Sequence, residues 1–265
     1  KLVINADGYI EDKNNKIGSD ESFRSDHASF DIKYKLNTQS AIDVSYMPDF
    51  GQVEVDPSDI NISYYETYLE EKRPFFMENS TMFDLPLEMF YSRRIGAPKN
   101  LNNYNIRIPT NIDLATKISG KEQNGFSYGF IAASTSNEIN NLEIINHEVK
   151  DNKYSIVRIK QDFFDGNSFI GFMASNYNGL RGFFKKNSNN QYYPIADEIF
   201  NVSSYSVDGV FNFLDNRLYT DFQIAQTNLQ NQGYAYSIES FYDFSSFFWV
   251  LKNEVSSHFI YFIKL

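Results

Sequence analysis

The residues whose types and spacing suit chemistry gather between Pro48 and Gly96. Arg93 and Arg94, beside Ser92, present planar forks of donors that suit a carboxylate, a phosphate or a sugar acid. The same forks would pair with Glu54, Asp56 or Glu66, and we favour that structural reading, because charges lining the inside of a β-barrel pair to hold a plug or constriction. Glu54 and Asp56, two apart, share a strand face and raise a glycoside-hydrolase acid pair. Acidic pairs are common in a chain this acidic, and a separation across a substrate is not legible from spacing. Glu70, Glu71, Lys72 and Arg73 precede Pro74, so a short helix through Tyr64 to Lys72 is expected to end there, with Phe75, Phe76 and Met77 packing it down. Asp49, Glu54, Asp56, Glu66, Lys72, Arg73, Arg93 and Arg94 therefore form the candidate polar cluster, and no catalytic residue is assigned.

Other chemistry finds little support. His27, His147 and His258 stand apart, without a zinc spacing. Asp7 and Gly8 with Glu11 and Asp12 lack the regular ligand spacing of a calcium loop. There is no Cys, hence no thiolate site or Cys nucleophile. No Ser-His-Asp set or phosphate-binding glycine loop is present, so neither metal nor cofactor is expected. A net charge of -10, from 24 Lys+Arg and 34 Asp+Glu, argues against a nucleic-acid partner.

The elements that must position the cluster are strands. Phe30, Ile32, Tyr34 and Leu36 alternate with Asp31, Lys33 and Lys35; after Asn37 to Ser40 come Ile42, Val44 and Tyr46 alternating with Asp43 and Ser45. This is a hairpin with one wet and one apolar face. The rhythm resumes at Leu114 to Ile118 and Phe126 to Ala132, then at 154–162, 168–177, 205–213, 218–226, 234–242 and 247–251. Tight turns such as 164–167 and 214–217 alternate with longer polar connections such as 178–197, as in transmembrane barrels. The 265 residues are 42% hydrophobic and 17% aromatic, with 25 Phe and 19 Tyr, and hold no apolar run long enough for a membrane helix. Aromatics near strand ends (Tyr46, Phe126, Phe163, Phe164, Tyr219, Phe241, Tyr242, Trp249) suit interfacial girdles, or equally the core of a soluble sandwich. On pattern alone the two stand level.

The segment that breaks the rhythm carries a resemblance. The runs PDFGQVEVDPSDIN, YYETYLEEKRPFFMEN and FYSRRIG, from Pro48, Tyr64 and Phe90, resemble the signature of a bacterial family of envelope proteins. That family joins an N-terminal family-9-like carbohydrate-binding domain to a long barrel-like domain of unknown function. The resemblance covers about Ser29 to Leu265 and is strongest before Gly96; Tyr65, Tyr68 and Leu69 are conservative departures from it.

The resemblance implies an all-β fold of antiparallel up-and-down strands, a partial outer-membrane-type barrel or an open curved sheet, with an inserted plug-like loop or short helix. Residues 1–28 are expected to be a linker or the tail of an upstream domain, 29–265 a partial barrel, and 47–108 a non-repetitive insert in its lumen. The chain opens at Lys1 and stops within an apolar stretch from His258, so it reads as a fragment. The expected setting is the bacterial outer membrane, with lipid as partner and a glycan as candidate ligand. The expected role is non-enzymatic, in transport or surface assembly with a link to carbohydrate use. The alternatives are an envelope carbohydrate-active enzyme or glycan binder and a soluble β-sandwich.

Overall fold

The alternating segments become strands of one open sheet in the computed structural model. It describes residues 1–13, 23–48, 69–97, 99–100, 107–108, 110–137, 152–180, 184–186, 192–194, 199–228, 232–243 and 248–256. Among these, eleven antiparallel strands follow one another in chain order. They are β1 (Leu2–Lys13), β2 (Phe23–Lys35), β3 (Ala41–Tyr46), β4 (Thr110–Lys121), β5 (Phe126–Asn137) and β6 (Asn152–Phe163). Then come β7 (Ser168–Leu180), β8 (Ile199–Phe213), β9 (Leu218–Asn228), β10 (Gln232–Asp243) and β11 (Phe248–Ser256). The sheet does not close into a barrel: β1 and β11 are its two edges. Two small ladders, Lys99–Asn100 with Arg107–Ile108 and Phe184–Lys186 with Tyr192–Pro194, stand outside it.

Two expectations change here. Within the span 1–28, read as a linker or tail, the described residues 2–13 and 23–28 lie in strands: β1 pairs with β2 from Leu2 opposite Tyr34 to Lys13 opposite Phe23. Their alternation is weak in sequence, and cross-strand pairing supplies the order. The helix expected to end before Pro74 does not run through Leu69 to Lys72. Tyr64 to Tyr68 fall outside the described residues, Leu69 to Arg73 are not helical, and the helix α1 spans Pro74–Met77. Proline occupies the first turn, where its missing N–H costs nothing and its fixed φ suits a helix start.

Up-and-down order sends alternate connections to opposite rims. The strand ends that flank 36–40, 122–125, 164–167, 214–217 and 244–247 lie at one rim; those that flank 14–22, 47–109, 138–151, 181–198 and the short 229–231 lie at the other. The tight turns pass through left-handed residues, among them Asp165 (φ 56), Asp215 (φ 56) and Asn216 (φ 65), which match the twist of the flanking strands.

Which face is covered is the decisive feature. The wet residues of the alternation are the buried ones: Asp43, Ser45, Lys117, Ser119, Thr135, Arg158, Ser204, Ser206 and Gln223 are all buried. The apolar residues between them face out: Leu2, Tyr34, Val157, Tyr205 and Tyr234 are all exposed. They belong to one row running strand to strand through Leu2, Tyr34, Ile42, Ile118, Phe130, Val157, Ala174, Tyr205, Gln226 and Tyr234. Phe126, Tyr128 and Phe130 lie on this outer face half-buried, while Ser127 and Gly129 between them are covered. Water-soluble sheets have the opposite polarity, with apolar side chains on the covered face.

Candidate functional site

The inner face is covered by residues 69–97, which fold as short turns rather than strands. After α1 come 3-10 turns at Ser80–Phe83 and Ser92–Arg94. Left-handed backbone at Asn79 (φ 55) and Gly96 (φ 80) reverses the chain. At Gly96 a Cβ would lie 2.9 Å from Ile112 Cγ1, so the reversal can sit against β4 only without a side chain.

Two of the signature runs clamp each other within this segment. Arg73, 7% exposed, donates from Nε and Nη2 to the two oxygens of Glu71 at 2.8 and 2.7 Å. It also reaches backbone: Nη1 donates to the Ile95 carbonyl at 2.6 Å and Nη2 to the Ser92 carbonyl at 2.7 Å. Its guanidinium carbon lies 4.3 Å from the centre of the Phe76 ring. Ser92 Oγ donates to Glu71 Oε2 at 2.6 Å, and the backbone N–H groups of Lys72 and Arg73 donate to Oε1 at 3.0 and 2.9 Å. Tyr91 closes the other end: its hydroxyl accepts from Leu69 N at 2.8 Å and donates to Leu69 O at 3.0 Å. Burial works to raise the Glu71 carboxyl, but the hydrogen bonds and charge of Arg73 and the Ser92 hydroxyl outweigh it and hold it below the usual value.

This resolves part of the sequence-predicted cluster. Asp49, Glu54, Asp56 and Glu66 lie outside the described residues. Arg73 and Arg93 converge on Glu71, which was not in the predicted cluster: Arg93 Nε stands 3.8 Å from Glu71 Oε1 and donates to the Glu70 carbonyl at 2.9 Å. Lys72 joins through its backbone, and Arg94 through its carbonyl, which accepts from Tyr154 on β6 at 3.4 Å. A cleft of about 270 Å³ opens beside the clamp, lined by Glu70, Glu71, Phe76, Phe83, Asp84 and Tyr91 among others.

The wall holds the segment by a set of side chains that the sequence reading did not single out. Lys117, buried on β4, donates to the carbonyls of Phe75 and Glu78, the latter at 3.0 Å. Lys33 on β2 pairs with the Glu78 carboxylate, and the Asn79 amide donates to Ser119 Oγ at 2.9 Å. Arg158 on β6 donates from Nε to the Met82 carbonyl at 3.1 Å, and Gln223 Oε1 on β9 accepts from Leu87 N at 2.7 Å. Polar wall groups thus satisfy backbone groups that a turn-rich segment leaves without secondary-structure partners. Apolar contact adds to this, because Phe76, Phe83, Leu85, Leu87, Met89 and Ile95 share one cluster with Ile112, Ile131, Ile156, Met173, Ala225 and Ala235 of the wall. A segment touching β2 through β10 requires the sheet to wrap around it, since even β2 and β9 on a flat sheet would stand about 34 Å apart at about 4.8 Å per strand. The one hint in sequence was a charge or amide at an inward strand position: Lys117, Arg158 and Gln223.

Among curated proteins and among solved structures, none matches the chain. The sequence profile of a domain of unknown function (DUF5916) matches residues 6–258, a span that takes in nearly all of the sheet and the whole segment lying on it. The chain therefore belongs to the DUF5916 family.

Proposed function

We propose that this chain is part of an outer-membrane β-barrel whose lumen holds residues 69–97 as a plug, and that the protein acts in transport or surface assembly. The observation that carries this reading is the polarity of the sheet. An outer face of Tyr, Val, Ile and Phe with an inner face of Ser, Thr, Gln, Lys, Arg and Asp matches a wall with lipid outside and a polar interior. Tight turns gathered on one rim and mostly longer connections on the other agree with the topology of such barrels. Exposed aromatics near the strand ends, Tyr46, Phe163 and Phe241, fit interfacial girdles. The resemblance of the charged segment to envelope proteins with carbohydrate-binding domains links the cargo to carbohydrate use.

The test is partition of the full-length protein. It is expected in detergent extracts of outer membranes, and its migration in gels should change on heating, as folded barrels resist the detergent until boiled. Recovery as a water-soluble monomer without detergent would sink the proposal.

A further inference from the structure

The plug is held unequally. Toward β2 to β6 it is fastened by Lys33, Lys117, Ser119, Tyr154 and Arg158, each hydrogen-bonded to or paired with plug atoms. Toward β7 to β9 the wall is different. Ser175, Ser204 and Ser206 are 3%, 0% and 3% exposed, yet among the described residues their hydroxyls have no hydrogen-bond partner. Gln223 is 0% exposed; its Oε1 accepts from Leu87 N, but its Nε2 is likewise without a partner.

These four groups are neighbours. Ser175 stands opposite Ser204, with Thr227 next in the same row; Ser206 lies one inward step along β8, and Gln223 stands opposite Asp208, one step further. Ala225 and Ala235 add little bulk beside them. A buried polar group without a partner costs the state that buries it, and these four sit around the place where Leu87 meets Gln223 and where Met173, opposite Ser206, and Ala225 join the plug's apolar cluster. Moving the plug away from these strands hydrates all four. The strip so uncovered is neutral, because the Asp208 carboxylate beside it is closed by the Arg158 guanidinium. Hydroxyls and an amide that donate and accept without net charge suit water and small uncharged polyols, and give an ion no counter-charge.

Resting on the barrel reading, we propose that the plug swings off β7 to β9 while staying fastened to β2 to β6, opening a hydroxyl-lined path for small uncharged polyhydroxy solutes.

The chain has no Cys, so single thiols can report on each side. In full-length protein, Ser206→Cys is expected to react with a small methanethiosulfonate reagent at least tenfold faster than Ser119→Cys, although both native side chains are buried. Equal rates overturn the swinging plug, and this comparison needs no bilayer. In liposomes, glycerol-driven swelling is expected with native protein and with an oxidised Asn79→Cys, Ser119→Cys pair. An oxidised Leu87→Cys, Gln223→Cys pair should lower it at least fivefold, with recovery on reduction. Swelling unchanged by the formed Leu87 to Gln223 bridge overturns the path. Failure of the native protein to co-float with lipid overturns the barrel reading and the path with it, while the thiol rates still decide whether the plug swings.

Discussion

Arg158 on β6 reaches across β7 to Asp208 on β8, both side chains buried, in a two-pronged pair in which Nη2 lies 2.7 Å from Oδ2. The strand between them makes room with Gly171, where a Cβ would meet the guanidinium at 2.5 Å. The same Arg158 donates from Nε to Met82, so one guanidinium ties three strands of wall to the plug.

Removing one partner leaves a buried charge without compensation. Asp208→Ala is expected to destabilise the folded protein by about 3–5 kcal/mol, measured by urea unfolding in liposomes or detergent. Arg158→Met with Asp208→Leu should restore most of that loss, while faster hydrogen exchange at Phe83, one step past the freed Met82 carbonyl, persists. Equal losses in the single and double variants would contradict the pairing.

Gly129 on β5 faces Met82 and Phe83, and a Cβ there would come within 2.6 Å of Met82 Sδ and 2.7 Å of Phe83 Cζ. Gly129→Val should push the plug away from β5 without disturbing β5 pairing. Limited proteolysis of residues 69–97 should quicken several-fold while heat-modifiable migration stays. A proteolysis rate equal to that of the native protein would show that the plug does not bear on this position.

Glu71 links plug integrity to pH. Its folded pKa lies below the usual 4.5, so its pairing contributes fully above that value and is lost as pH falls through the depressed one. Protection of the amides across Leu69 to Ala97, taken relative to their intrinsic exchange rates, should therefore be flat at neutral pH and fall on acidification below 4.5. Glu71→Gln removes the charged hydrogen bonds, at a cost of about 1.5–3 kcal/mol, and should bring the lowered protection to neutral pH. An identical acid limb in the variant would assign the transition to another group.

The outer face gives the sharpest contrast between a lipid and a water setting. Ile224 is 58% exposed, on an outward row between Val207 and Tyr236. In a bilayer Ile224→Arg is expected to cost about 2–4 kcal/mol near the midplane, whereas an exposed isoleucine in water would tolerate it within about 0.5 kcal/mol. Unfolding of the reconstituted protein decides between them.

The amino-acid sequence by itself determined the strands from Phe30 onward, the tight turns and the sorting of side chains into two faces, because a period of two is a local property of extended backbone. Pro48 to Gly96 could be marked as non-repetitive and charged for the same local reason. It could not say which face is covered, since alternation is symmetric and an apolar row looks the same against a protein core or against lipid. Nor could it pair Glu71 with Arg73 and Arg93, set Arg158 on Asp208, or bring Leu87 to Gln223, contacts between residues as much as 136 positions apart. Only the wrapping of the sheet around residues 69–97 decided those. It buries the polar face of the alternation, and a buried polar group must find a partner wherever in the chain one lies.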